Sequence, residues 1–278
     1  MLRTAYQQSV AAYWNAERDP VNLKLGAVDG FYHHHCGIGD YDASVLEVPA
    51  ELRDQAVIAE MHRLESAQSE LLLGQIGPVQ PSDRLLDAGS GRGGTSFMAN
   101  LRFGCEVDGV SISETQVQFA NAQAVERGVA DKVRFHYENM LDTGFAAGSR
   151  RAIWTNETTM YVDLHKLYRE FARLLRGGGR YACITGCSND VTGGRSKAVS
   201  QIDQHYTCNI HPRSEYFKAL AANDFVPITV MDLTPDTIPY WELRAGSSVA
   251  TGIEEAFLTA YRESSFHYLL IVADYVGW

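Results

Sequence analysis

Between residues 51 and 73 apolar side chains recur at three- and four-residue spacing: Val57, Ile58, Met61, Leu64, Ala67 and Leu71. That period gathers them on one stripe and predicts a single long helix. Past Pro78 and Pro81 the pattern changes, and short apolar runs begin to alternate with helical stretches. Strands are predicted at 84–87, 106–110, 133–137, 152–156 and 180–185. Helices are predicted at 95–102, from an N-cap at Ser113 through Arg127, and at 164–175, the last stopped by Gly177, Gly178 and Gly179. The apolar run at 266–273 reads as a closing strand. Strands and helices alternating at this spacing predict an α/β chain with a doubly wound parallel sheet.

Two segments fall outside that rhythm. Residues 1–50 show no sustained period and read as an N-terminal cap on a core running from 51 to 278. Residues 186–250 carry Tyr206, His211, Tyr216, Tyr240 and Trp241 and read as an inserted lid over the carboxyl edge of the sheet. No internal repeat and no low-complexity tract occurs.

Where the first strand ends, the chain reads Asp87-Ala88-Gly89-Ser90-Gly91-Arg92-Gly93-Gly94. Glycines admit φ > 0 and let a ligand lie against backbone, and the helix that follows adds unpaired N–H donors. A P-loop would need lysine before Thr95, and none is there. A dinucleotide loop fits the glycines literally. The segment also resembles the D-x-G-x-G-x-G signature of class I methyltransferases, which bind S-adenosylmethionine (SAM), and matches it at every fixed position. The acid tips the balance, since a carboxylate suits the ammonium and sulfonium of SAM and repels a pyrophosphate. Asp87, Gly89 and Gly91 are therefore cofactor candidates, in a Rossmann-like class I fold.

Gly109-Val110-Ser111-Ile112-Ser113 with Gln116 resembles the stretch that holds ribose and adenosine in SAM enzymes related to cyclopropane synthases. On that resemblance Ser111, Ile112 and Gln116 join the candidates. Asn139, Met140 and Leu141 follow the third strand, where a SAM site meets adenine, and Asn156 ends the fourth.

Composition narrows the function further. A formal net charge of −10 argues against a nucleic-acid partner, and an anionic substrate would need local cations, helix N-termini or a divalent metal. No apolar run approaches the roughly 18 residues of a membrane span, and the opening residues lack a signal-peptide core. The five cysteines are odd in number and form no Cys-x-x-Cys pair, which predicts reduced thiols. The expectation is a cytoplasmic enzyme with a small-molecule substrate, no membrane or nucleic-acid partner, and room for homo-oligomers.

The fourth strand leads into Asn156-Glu157-Thr158-Thr159-Met160-Tyr161. Methylation of an alkene carbon leaves a carbocation, which a carboxylate can stabilise and deprotonate and an aromatic face can stabilise further. Glu157 and Tyr161 supply both groups and are the catalytic candidates.

That segment, with Tyr13-Trp14-Asn15, Pro20-Val21-Asn22-Leu23, Phe31-Tyr32-His33-His34-His35, Cys208-Asn209-Ile210-His211 and Tyr240-Trp241-Glu242-Leu243-Arg244, resembles the prenyl diphosphate C-methyltransferases over almost the whole chain. The resemblance implies transfer of methyl from SAM to an allylic diphosphate, geranyl diphosphate foremost, with Mg²⁺ on the diphosphate and Glu157 as base. It implies substrate contacts from Tyr32, His34, Cys36, Ala198, Tyr206, His211 and Trp241. Asn22, Lys24, Arg63 and His211 are candidate diphosphate neighbours; the metal ligands stay unassigned. The chain departs from the family at Cys36, where a tyrosine is expected after the histidines, at Ala198, where a tryptophan is expected, and at Tyr206, which stands for phenylalanine. Two lost aromatics predict a reshaped pocket, so C6 methylation or a farnesyl or isopentenyl substrate is an alternative. A small-molecule O- or N-methyltransferase and a cyclopropane synthase-like enzyme are the others.

Overall fold

The computed structural model describes residues 4–16, 20–190 and 195–277. Seven strands form one sheet: β1 (Arg84–Ala88), β2 (Glu106–Ser111), β3 (Val133–Tyr137), β4 (Arg150–Asn156), β5 (Leu175–Ser188), β6 (Phe225–Asp232) and β7 (Phe266–Tyr275). Their order is β3-β2-β1-β4-β5-β7-β6. The first five run parallel, as the alternating pattern predicts. β7 runs antiparallel between β5 and β6, so the sheet is mixed rather than wholly parallel. An apolar run buried on both faces carries no record of its direction.

The helices are α1 (Ala5–Asn15), α2 (Pro20–Gly26), α3 (Ala50–Gln75), α4 (Gly94–Phe103), α5 (Glu114–Glu126), α6 (Leu164–Leu174), α7 (Lys197–Tyr206), α8 (Arg213–Ala221), α9 (Thr234–Ala245) and α10 (Glu254–Arg262). None is long and apolar enough to cross a membrane. Alternate strand residues face opposite layers. Leu85, Trp154, Ile184 and Leu270 join the cluster under α3, α9 and α10. Leu86, Ile153, Tyr181 and Ile271 join Leu167, Phe171, Tyr216 and Leu220 from α6 and α8 on the other face. Each such side chain, fully buried, contributes roughly 1.5–3 kcal/mol.

The two irregular segments are more ordered than their patterns suggest. Within residues 1–50 lies α1, started by a capping box in which Thr4 Oγ1 accepts from Gln7 N–H and Gln7 Oε1 accepts from Thr4 N–H. The segment 186–250, read as an inserted lid, contributes to more than one part of the fold through its described residues. α7 and α9 pack at the carboxyl edge, whereas α8 and β6 belong to the core. β6 hides from a pattern search because it is an edge strand carrying Pro227, and Val226, Ile228 and Val230 are exposed.

Candidate active site

The parallel strands β1, β2 and β4 end beside one another at Ala88, Ser111 and Asn156. Chain order reverses between β1 and β4, and a crevice opens at such a switch point. Two adjoining cavities open there, both bordered by His34, His35, Glu157 and Tyr161.

The first cavity is built on the glycine turn. Gly89 has φ +90°, and a Cβ there would collide with the Thr158 side chain. Only glycine lets the β1 and β4 turns interlock this closely, with Thr158 Oγ1 donating to Ala88 O at 3.0 Å. Asp87, Gly89, Gly91, Ser111, Ile112, Gln116, Met140 and Asn156 all line this cavity, as do Glu157 and Tyr161. Asp87 is buried and accepts from Ser96 Oγ at 2.7 Å; burial raises its carboxyl to about 7. Ser111 Oγ donates to Gln116 Oε1 at 3.1 Å. The buried Ser90 Oγ and Asn156 Nδ2 have no hydrogen-bond partner among the described residues. Asn139 and Leu141 do not line this cavity. Asn139 Oδ1 instead accepts from Leu141 N–H at 3.0 Å, folding a short turn that presents Met140.

The second cavity is aromatic. Trp14, Tyr161, Tyr206, Trp241, Phe257, Tyr261, Phe266 and Tyr268 line it, with Cys36, Asn22, Arg244 and again Glu157. Trp241 stacks on Phe257 with centroids 3.8 Å apart. Glu157 sits at the junction with φ +52°, a left-handed conformation uncommon for a side-chain-bearing residue and frequent at functional sites. Its Oε1 accepts from Cys36 N–H at 2.9 Å, from the Cys36 thiol at 3.1 Å and from the Tyr268 hydroxyl. Burial holds the Cys36 thiol well above its usual pKa.

Of the three histidines, His33 and His35 share one partner and His34 has others. His35 Nε2 lies 3.0 Å and His33 Nδ1 3.4 Å from Ser69 Oγ on α3. His34 borders both cavities between Asn22 at 2.7 Å and Arg92 Nη1 at 2.9 Å. Arg92 can only donate, so His34 Nε2 accepts. Burial, then the Arg92 charge, keeps this ring's pKa well below the usual value.

Four expected contacts lie elsewhere. Ala198 is buried in the apolar cluster and lines neither cavity. Ile202 and Tyr206, one and two turns further along α7, reach the second cavity on that face. His211 faces an outer groove, its Nε2 2.9 Å from Val162 O. Lys24 is exposed, and Arg63 pairs with Glu60 on α3. Tyr32 lines the first cavity rather than the second. Conversely Arg244, Phe257, Tyr261, Phe266 and Tyr268 escaped sequence reasoning as site residues. Arg244 is buried and pairs with buried Glu254 at 2.9 Å. Among the described residues no three His, Cys, Asp or Glu side chains converge to hold a metal.

Fold, glycine turn and cavity together define a class I SAM-dependent methyltransferase, and residues 86–183 match the family model described as a methyltransferase domain. The chain belongs to the family of the geranyl diphosphate C-methyltransferases. It is 62% identical over 273 residues to geranyl diphosphate 2-C-methyltransferase of Saccharopolyspora erythraea, covering 98% of this chain and 96% of that one. The Streptomyces lasalocidi enzyme of the same name is 57% identical, with 98% and 91% covered. Among solved structures, geranyl diphosphate C-methyltransferase from Streptomyces coelicolor A3(2), in complex with Mg²⁺, geranyl-S-thiolodiphosphate and S-adenosyl-L-homocysteine, is 55% identical. It superposes with a TM-score of 0.96 over 98% of this chain and 99% of that one.

Proposed function

We propose that this chain transfers a methyl group from SAM to C2 of geranyl diphosphate. The observation that carries the reading is the position of Glu157, a carboxylate bordering both the glycine-turn cavity and the aromatic cavity. The unpartnered Ser90 Oγ and Asn156 Nδ2 and the buried Asp87 fit the first cavity to SAM. Bound there, SAM supplies an electrophilic methyl on a sulfonium.

The aromatic cavity takes the prenyl chain and excludes water. The C2–C3 π pair would form the bond from C2 to the methyl carbon, the S–CH₃ bond pair would stay with sulfur in the departing S-adenosylhomocysteine, and positive charge would be left at C3. Tyr161 and the other aromatic side chains that line the cavity stabilise it. Glu157 then accepts the C2 proton, and the C–H electron pair restores the double bond. Asn22 and Arg244 are polar side chains lining this cavity, and both suit a diphosphate. With no acidic cluster among the described residues, the donor set suits a Mg²⁺ held chiefly by phosphate oxygens and water. All five cysteines are free, which fits a reducing cytoplasm.

Incubation with SAM, geranyl diphosphate and Mg²⁺, with the product identified by mass and NMR, tests the reading. A product bearing a new C2 methyl is expected; an O-methylated product or none overturns it. A second reading, methylation at C6 or of a longer chain, is favoured by one observation: Cys36, small where the family is expected to hold tyrosine, lines the acceptor cavity. Competition among C5, C10 and C15 diphosphates separates the two.

A further inference from the structure

The bonds to Glu157 continue beyond Cys36. Tyr268, from the start of β7, donates its hydroxyl to Oε1. The same hydroxyl oxygen accepts from Gln68 Nε2 on α3. Gln68 is fully buried and also donates from Nε2 to Asn156 Oδ1 at 3.2 Å. An amide nitrogen has two hydrogens, so these two bonds use both. Asn156, with Oδ1 engaged, keeps Nδ2 for the cofactor cavity that it lines. All three bonds onto the carboxylate fall on Oε1; none of them engages Oε2.

We propose that Tyr268 is the positioning residue for Glu157, itself set by Gln68 and Asn156, so that one buried chain of hydrogen bonds joins the cofactor cavity to the base. Donors on Oε1 hold the carboxylate in one rotamer and leave Oε2 to receive the proton. This matters because the C3 cation has three neighbouring carbons that can lose a proton. Removal from C2 gives the 2-methyl allylic product; removal from C4 or from the C3 methyl gives isomers with a displaced double bond. A loosely held base would sample all three. Within this buried chain the Tyr268 hydroxyl and both hydrogens of Gln68 Nε2 are engaged, which restrains the carboxylate; Gln68 Oε1 and Asn156 Nδ2 are its ends without a partner among the described residues.

The proposal rests on the C-methylation reading, and the experiment separates the two. Unmodified enzyme, Tyr268→Phe and Gln68→Met are compared for kcat, KM for geranyl diphosphate, melting temperature and ratio of product isomers. Failure of the unmodified enzyme to methylate geranyl diphosphate defeats the underlying reading. Given turnover, both variants are expected to lose roughly 10- to 100-fold in kcat, the scale of a misplaced reacting group, with KM little changed and displaced-alkene isomers appearing. Either variant keeping the full kcat and a single isomer overturns the proposal. A fall in kcat with the isomer ratio unaltered marks a merely structural role and overturns it equally. Phenylalanine keeps the ring of Tyr268 and methionine the length of Gln68. The isomer ratio is a property of the molecules that do turn over, so it stays informative even where a variant melts lower.

Discussion

Cys36 and Glu157 stand 121 residues apart in the chain and meet twice on one oxygen, through the Cys36 amide at 2.9 Å and its thiol at 3.1 Å. The segment carrying Cys36 crosses above the glycine turn, where Gly94 N–H donates to Tyr32 O. The segment 32–36 thus bonds Glu157 and lines the first cavity at once. With its pKa raised by burial, the thiol remains a donor through neutral pH.

Replacing Cys36 with alanine removes one of the three donors and spares the amide. We expect a loss of about 0.5–1.5 kcal/mol in stability, the net worth of one hydrogen bond, and a several-fold fall in kcat. Denaturant unfolding and steady-state kinetics check both. A fall in kcat beyond about 100-fold, the range of a group that moves a proton itself, would place the thiol in the chemistry.

Glu157→Gln keeps the size of the side chain and removes its basicity. Turnover should drop by about 10²- to 10⁴-fold, the usual worth of a general base. Binding of S-adenosylhomocysteine, followed by calorimetry, should persist. Unchanged turnover would refute Glu157 as the base.

Much of the candidate site, in the sense of the residues that line the first cavity, was legible because they sit at strand ends. Asp87, Gly89, Ser111, Met140 and Glu157 each follow an apolar run whose direction the parallel β1–β4 set fixes. Phe266 and Tyr268 were not legible for the complementary reason. A parallel β7 would put its first residues at the far end of the sheet; because β7 is antiparallel, Gly186 pairs with Tyr268 at the carboxyl edge. Arg244 lay on a helix whose tertiary partner, Glu254, no local pattern reveals. The helix α1 did carry a signal in Thr4 and Gln7, and its capping box was open to reading.

Asp87 gives the cofactor site a pH dependence. Burial raises its carboxyl from 3.8 to about 7. The folded chain therefore holds a proton that the unfolded chain has released. The stability this group contributes is present below about pH 4 and is lost as pH rises through about 7. A cationic cofactor favours the ionised form, so its affinity should climb between about pH 6 and pH 8, with a proton released on binding. Calorimetry in buffers of different ionisation enthalpy reads that proton. Asp87→Asn should bind SAM more weakly, with the pH slope gone, and melt higher at alkaline pH. An equal slope in the variant assigns the titration to another group.

Arg244 has a structural partner and also lines the aromatic cavity, and the structural role can be separated from the proposed contact with diphosphate. It is buried, pairs with Glu254 at 2.9 Å and lies over Trp241 with its Cζ 5.4 Å from the ring centroid. Glu254 is buried as well, held by the amides of Thr251 and Gly252. Arg244→Gln strands that carboxylate, so we expect a loss of about 3–5 kcal/mol in stability. The KM for geranyl diphosphate should rise by about 10- to 100-fold, since a charge-assisted hydrogen bond is lost. Adding Glu254→Gln removes the stranded charge and should restore most of the stability. It cannot restore the cation, so KM should stay high. If the double variant recovers both, Arg244 serves the fold alone and the diphosphate is held by other groups.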